Sequence, residues 1–182
     1  MSDTSFYLAK EKRARLAAVY SLKDAAATVE RAPDPGLGQG DYVDGPRKCF
    51  AGGAGLLSTA TDYARFLQML VNGGELGGVR LLGPKTIELM TSDATPGLDL
   101  RNYLNGEQVL QGYGFGLGVR VRRNNGENGW LGTPGDYGWA GALGTYFWID
   151  PKEELIGMIL IQTPIRALRM EFPNAVYQAI VD

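Results

Sequence analysis

Histidine is absent from the 182 residues. Its absence excludes Ser-His-Asp and Cys-His catalysis within the chain, and with them the commonest zinc sites. Hydrolytic chemistry here would need Lys, Tyr or a carboxylate as its base. Cysteine is nearly as scarce. Cys49 is alone, which rules out an internal disulfide framework and any multi-Cys metal site. With no histidine to activate its thiol, Cys49 reads as a small buried or loop residue. No metal and no cofactor is expected. Charge of one sign is also lacking: a formal net charge of −2 gives no long-range field toward nucleic acid or an anionic membrane. No apolar run is long enough to span a bilayer. The opening MSDTSFYLAKEKRARL lacks the apolar stretch of a signal peptide, which favours a cytoplasmic location.

What is present describes a soluble globular protein, with 45% hydrophobic and 21% charged residues. The length suffices for one domain with a real core. Glycine is the compositional outlier at 26 residues. The glycines fall in bursts beside strands and turns rather than in one low-complexity tract, so they read as structural.

Along the chain, residues 10–16 predict a short charged helix, followed by an extended stretch through Leu16, Ala18 and Tyr20. Residues 32–55, rich in proline and glycine, predict a long irregular surface segment. LLSTATDYARFLQMLVNGG carries the clearest helix. Thr59 and Asp62 suit a capping box, Tyr63, Phe66, Leu67 and Leu70 recur at helical spacing, and Gly73 stops it. Pro84 suits the first turn of a second helix whose apolar side holds Ile87, Leu89 and Met90.

The second half reads as strands. In YGFGLGVRVRR, Tyr113, Phe115, Leu117, Val119 and Val121 share one face of a single strand. Gly114, Gly116, Gly118, Arg120 and Arg122 share the other. The spacing fails the dinucleotide-binding pattern, and the glycine face is expected to let another element pack closely. After a polar turn region at residues 124–135, strands are expected over 139–150 and 155–162. Asp150, Pro151, Lys152 and Glu153 form the turn between them. Pro173 starts a final helix through Val176, Tyr177 and Ile180. Helices, then three antiparallel strands, then a helix make an α+β fold whose outer strands offer unpaired backbone groups.

Taken in order, MSDTSFYLAKEKRARLA, GGAGLLSTATDYARFLQMLVNGG, YGFGLGVRV, WAGALGTYFWIDPKEELIGMILIQ and NAVYQAIVD resemble the serine β-lactamase-like family. The nearest branch is that of the class C β-lactamases and their esterase relatives, the family VIII carboxylesterases, with penicillin-binding-protein-like members beside them. The resemblance runs over nearly the whole chain and covers the C-terminal part of the family's domain. It implies one partial domain over 1–182: a short helix and strands at 1–31, a loop at 32–55, a helical part at 56–92, antiparallel strands at 112–162 and a C-terminal helix at 173–182. Met1 then reads as an internal family residue serving as a start.

Family members use Ser-x-x-Lys, Tyr-x-Asn or Tyr-x-Ser, and a strand motif Lys-Thr-Gly, His-x-Gly or Trp-x-Gly. Trp139, Ala140 and Gly141 match the third motif. The resemblance implies that this strand flanks the active site and that the N–H of Ala142 donates to the oxyanion. From the residues alone, a small-residue strand packed beneath a helix accounts for the pattern better. The other two motifs are missing where the family has them. Ser2, Ser5, Ser21, Ser58 and Ser92 are the only serines, and none has Lys three residues later. Tyr103, Leu104 and Asn105 spell the second motif at a displaced position and read as coincidence. Lys10, Lys12, Lys23, Lys48, Lys85 and Lys152 sit in polar, turn-like or helix-surface contexts, unsuited to a desolvated base.

The resemblance therefore implies the C-terminal portion of a serine hydrolase that is inactive alone, acting on carboxylic esters, with β-lactams as secondary substrates. Trp139 in place of the Lys of Lys-Thr-Gly removes a cation that would meet a β-lactam carboxylate. Expected partners are a chain carrying the N-terminal half, or a second copy in a homo-oligomer or domain swap. The other reading is a non-catalytic binding or assembly module with the same fold.

Overall fold

A computed structural model describes residues 1–23, 28–33, 41–48, 50–100, 110–165 and 167–181. Cys49 and the Tyr103, Leu104 and Asn105 triplet lie outside the described residues. A 3-10 helix at Lys10–Arg15 is followed by an antiparallel pair, β1 (Tyr20–Leu22) and β2 (Val29–Arg31). The described part of 32–55 forms neither helix nor strand, as its composition predicts.

Helix α1 (Ala60–Val71) forms where the apolar spacing places it, with Leu67 and Leu70 buried and Tyr63 and Phe66 at the margin of the core. Thr59 caps it by accepting from the Asp62 N–H at 3.3 Å. The expected reciprocal half of the capping box is replaced. The Asp62 carboxylate accepts instead from the Asp3 N–H at 2.7 Å and the Thr4 hydroxyl at 3.0 Å, clipping the N-terminal segment onto the helix. Burial alone would raise the Asp62 pKa, but these two donors hold it below its ordinary value. Gly73, at φ +67°, ends the helix.

A short hairpin, β3 (Glu75–Leu76) and β4 (Val79–Arg80), turns through Gly77 and Gly78, both at positive φ. Helix α2 (Pro84–Met90) follows with Pro84 in its first turn. Ile87 is buried and Met90 packs against the core, whereas Leu89 is 63% exposed, so the apolar side is narrower than expected.

The sheet has five strands rather than three. β5 (Tyr113–Phe115), β6 (Arg120–Arg122), β7 (Tyr137–Ala140), β8 (Tyr146–Asp150) and β9 (Leu155–Ile159) form an antiparallel meander in chain order. Each of the first two expected strands is itself a hairpin. YGFGLGVRVRR folds back at Leu117 and Gly118, where Gly116 N–H bonds the Val119 carbonyl at 2.8 Å and Gly118 takes φ +88°. The stretch 139–150 breaks at residues 141–145, and the turn after β8 covers residues 151–154. The close packing expected of the glycines is present. A Cβ on Gly114 would strike the Asp93 carboxylate, just past α2, and one on Gly116 the carbonyl of Met90, the last residue of α2. Asp93 is fixed there by the Arg123 guanidinium at 2.7 Å.

Strand alternation divides the sheet cleanly. Val121, Tyr137, Phe147 and Ile149 face α1 and α2 and join Leu67, Met69, Leu70 and Ile87 in the core. Tyr146, Trp148 and Asp150 face the other way, onto α3 (Leu168–Gln178). Helices on both sides explain why every residue of β8 is buried. α3 starts at Leu168 rather than at Pro173, which lies buried inside it. Its docking contacts are Phe172 edge-on to Trp148 at 5.9 Å and the Tyr177 hydroxyl donating to Asp150 at 2.8 Å. That tertiary support offsets the backbone hydrogen bond the proline removes.

Candidate functional site

Trp139, Ala140, Gly141 and Ala142 lie at the end of β7 and in the turn after it. Trp139 pairs with Phe147 in the ladder and packs edge-on to Phe115 at 4.9 Å. Gly141 N–H bonds the Thr145 carbonyl at 2.7 Å, and Gly144 N–H bonds the Gly141 carbonyl at 3.1 Å. The turn is thereby closed on both sides of Ala142.

The smallness of this region has internal causes. A Cβ on Gly138 would meet the Phe147 carbonyl, and one on Gly141 the Thr145 hydroxyl. Gly144 has φ +105° and lies against the Thr163 carbonyl. The close neighbours of the three glycines are thus the protein's own atoms. Ala142 differs. It is exposed, and among the described residues its N–H has no hydrogen-bond partner. The preceding carbonyl, that of Gly141, also accepts from the Arg169 guanidinium of α3.

The opposite face of the sheet holds a buried charged cluster. Sequence alternation puts Arg120 and Arg122 on the face of the glycines. The hairpin instead pairs Arg122 with Tyr113, Arg120 with Phe115 and Gly114 with Val121, so the arginines lie on the other face from Gly114. Arg122 bonds Asp136 at 2.6 Å and Asn128 at 2.8 Å, and reaches the carbonyls of Trp130 and Leu131, each at 3.2 Å. One guanidinium thereby organises the whole polar loop ahead of β7. Gly132 lets it through, since a Cβ there would strike the guanidinium. Arg120 lies over the Tyr113 ring at 4.2 Å and the Tyr146 ring at 4.9 Å. A small cavity between this cluster and α3 is lined by Arg120, Arg122, Asp136 and Tyr177 among others. Sequence alternation puts two arginines on one strand face and an aspartate ahead of β7, but it places Tyr113 on the other face, and only the hairpin register brings its ring to the arginines.

The electrostatics decide what these groups can do. Burial raises the Tyr113 and Tyr137 phenols to about 12. Burial likewise raises Tyr63, Tyr146 and Tyr177, the last helped by its bond to Asp150. A general base works best with a pKa near the working pH, so each of these phenols is tuned away from that task. Burial also raises Asp136, outweighing the guanidinium of Arg122 beside it. Among the lysines, Lys10, Lys23 and Lys85 are well exposed in ion pairs, and Lys48 and Lys152 are exposed as well. Lys12 is half-buried on Asp3. Among the described residues, no cluster of three or more His, Cys, Asp and Glu could hold a metal ion, and no helix is long and apolar enough to cross a membrane.

Comparison with known proteins adds the following. The family model described as Beta-lactamase matches residues 1–179. Protein Rv1367c of Mycobacterium tuberculosis is 37% identical over 165 residues, which are 89% of this chain and 40% of that protein. A putative D-alanyl-D-alanine carboxypeptidase of Escherichia coli is 36% identical over 87 residues, 46% of this chain and 19% of that one. Simvastatin synthase (LovD) from Aspergillus terreus superposes with a TM-score of 0.72 at 25% identity, over 99% of this chain and 46% of that structure. EstCE1, a hydrolase with promiscuous acyltransferase activity, superposes at 0.70 with 23% identity, over 97% and 46%. The chain thus spans less than half the length of each of these relatives.

Proposed function

The chain belongs to the beta-lactamase family, and from that premise we propose that it is the C-terminal portion of a serine hydrolase acting on carboxylic esters, with β-lactams as secondary substrates. One observation carries the reading: an exposed Ala142 whose N–H has no partner among the described residues, set at the end of a Trp139, Ala140, Gly141 strand by a turn closed on both sides. An ester carbonyl attacked by a serine hydroxyl places negative charge on its oxygen. Ala142 N–H is the donor offered to that oxygen, and such a donor is worth roughly 3–4 kcal/mol at the transition state. The intermediate collapses as the alkoxide leaves with a proton. Water then releases the acid from the acyl-serine.

The serine must come from outside these 182 residues, because no serine among them stands three residues before a lysine. The phenols on the sheet are raised, and five of the six lysines are exposed, so neither set supplies a substitute base. By themselves these residues are silent, and they act when joined to residues bearing Ser-x-x-Lys and the Tyr motif. Strand β9 lies at one edge of the sheet with Leu155, Ile156, Met158 and Ile159 only partly buried, and this is where further strands would add. The preference for esters rests on Trp139, which holds no charge for a β-lactam carboxylate. LovD, a simvastatin synthase, and EstCE1, a hydrolase with promiscuous acyltransferase activity, are in keeping with acyl transfer.

The test is p-nitrophenyl butyrate hydrolysis by the purified chain, with and without a separately produced N-terminal half from a close relative. Activity is expected only in the mixture, and it should vanish when the serine of the added half is replaced. Turnover by the chain alone would overturn the reading. A folded complex without activity would favour a binding or assembly module.

A further inference from the structure

We infer that Arg169 is a positioning residue that sets the direction of the Ala142 N–H, an inference that rests on the role proposed for that donor. The Gly141 carbonyl and the Ala142 N–H belong to one peptide unit. In a trans peptide they point in opposite directions, so whatever holds the carbonyl aims the N–H. Among the described residues the carbonyl accepts from two donors, the Gly144 N–H at 3.1 Å and the guanidinium of Arg169. Ala142 is exposed, and its N–H, on the far side, has no partner among the described residues.

The turn hydrogen bond alone is a weak lock. Gly141 tolerates backbone conformations closed to other residues, so this peptide plane can rotate at little steric cost. Rotation would present the Gly141 carbonyl where the developing oxyanion needs a donor. A hydrogen bond from a charged guanidinium opposes that rotation more strongly than a neutral one. It also polarises the amide, and a polarised amide donates better through its N–H. Arg169 therefore acts twice on the same peptide, on its orientation and on its strength as a donor, without touching substrate.

Arg169 could instead serve only to pin α3 to the sheet. The geometry argues otherwise, because α3 has other anchors. Tyr177 donates to Asp150 at 2.8 Å, Phe172 packs on Trp148 at 5.9 Å, and the Asn174 side chain accepts from the Leu131 N–H at 3.0 Å. None of these involves Arg169, so the helix has other means of staying docked.

The experiment uses the isotopically labelled chain as Arg169→Met and Arg169→Lys, with Tyr177→Phe as a control that loosens α3 without touching the peptide. Arg169→Met is expected to shift the Gly141 carbonyl and Ala142 amide resonances while those of Trp148 and Asp150 stay in place. Arg169→Lys should return them most of the way, and Tyr177→Phe should leave them unmoved. In the mixture with the N-terminal half, Arg169→Met should lower kcat for p-nitrophenyl butyrate by about tenfold, with KM changed by less than about twofold. Unmoved Gly141 and Ala142 resonances in Arg169→Met, or resonances that move only with the whole α3 interface, would overturn the assignment. So would an equal loss of kcat in Tyr177→Phe. If the unsubstituted mixture is inactive, the proposed function fails, while the resonances still decide what Arg169 holds.

Discussion

Strand β8 looks into two different interiors. Phe147 and Ile149 face aliphatic and aromatic side chains under α1 and α2, whereas Trp148 and Asp150, between and beside them, face tyrosines and α3, with the Arg122 pair on the same side. The first face is held by volume and the second by pairing. Volume forgives modest change, because apolar cores can repack. Pairing does not, because a buried charge that loses its partner keeps its desolvation cost. β7 runs between these interiors, and the turn at its end presents the Ala142 N–H, which has no partner among the described residues. Its carbonyl side belongs to the charged face, through Arg169.

Breaking the charged face should have the largest effect. Asp136→Ala strands Arg122 in a site where both side chains are almost fully buried, and should cost about 4 kcal/mol in urea unfolding. Replacing both residues together, Arg122→Met with Asp136→Leu, should cost less than the single change, and a larger loss would show that the pair is stabilising in its own right. Leu67→Ala, in the apolar face, empties a fully buried site and should cost about 3 kcal/mol. Because the two sites lie on opposite sides of the sheet, their effects should add, and a coupling above roughly 0.5 kcal/mol would mean that the faces are not independent.

Gly116→Ala probes the seam between α2 and the sheet. Its Cβ would meet the Met90 backbone, which cannot swing aside, so a loss of about 2 kcal/mol is expected by the same measurement. The smallest effect is a pH dependence. The guanidinium of Arg123, opposed in part by burial, holds Asp93 down to about 2 from an ordinary 3.8. A depressed carboxylate contributes stability that is complete above its unfolded pKa and is lost as pH falls through the folded one. The stability difference between the unsubstituted chain and Asp93→Asn, about 1 kcal/mol after screening, should therefore be constant at neutral pH. It should shrink between about pH 4 and pH 2, which acid titration of the unfolding midpoint would check.

The apolar face was the legible one. Tyr63, Phe66, Leu67 and Leu70 announce α1 because a helix repeats its buried side every three or four residues, and Gly114 and Gly116 announce a close neighbour because they lack bulk on one strand side. The hairpins were hidden by the same regularity. Alternation runs unbroken in the sequence from Tyr113 to Val121, yet the fold-back at Leu117 and Gly118 reverses it. Tyr113 pairs with Arg122 and Gly114 with Val121, so Tyr113 joins the arginine face and Val121 the face of Gly114. The burial of Arg120 and Arg122 depended on Tyr113, Asp136 and Tyr146 arriving from other strands. The contact between Arg169 and Gly141 joins residues 28 positions apart and leaves no local pattern. Of the candidate site, the strand was found by its motif, whereas the reason for its small residues lay in Thr145, Phe147 and Thr163, which only the fold brings close.

The most direct measurement is a crystal structure of the chain in complex with an N-terminal half, inhibited by a p-nitrophenyl alkylphosphonate that leaves a tetrahedral phosphorus on the added serine. The expected result is a phosphonyl oxygen about 3 Å from the Ala142 nitrogen, with the Gly141 carbonyl still turned to Arg169. A phosphonyl oxygen held by other donors, with the Ala142 N–H turned to solvent, would contradict the role given to this strand.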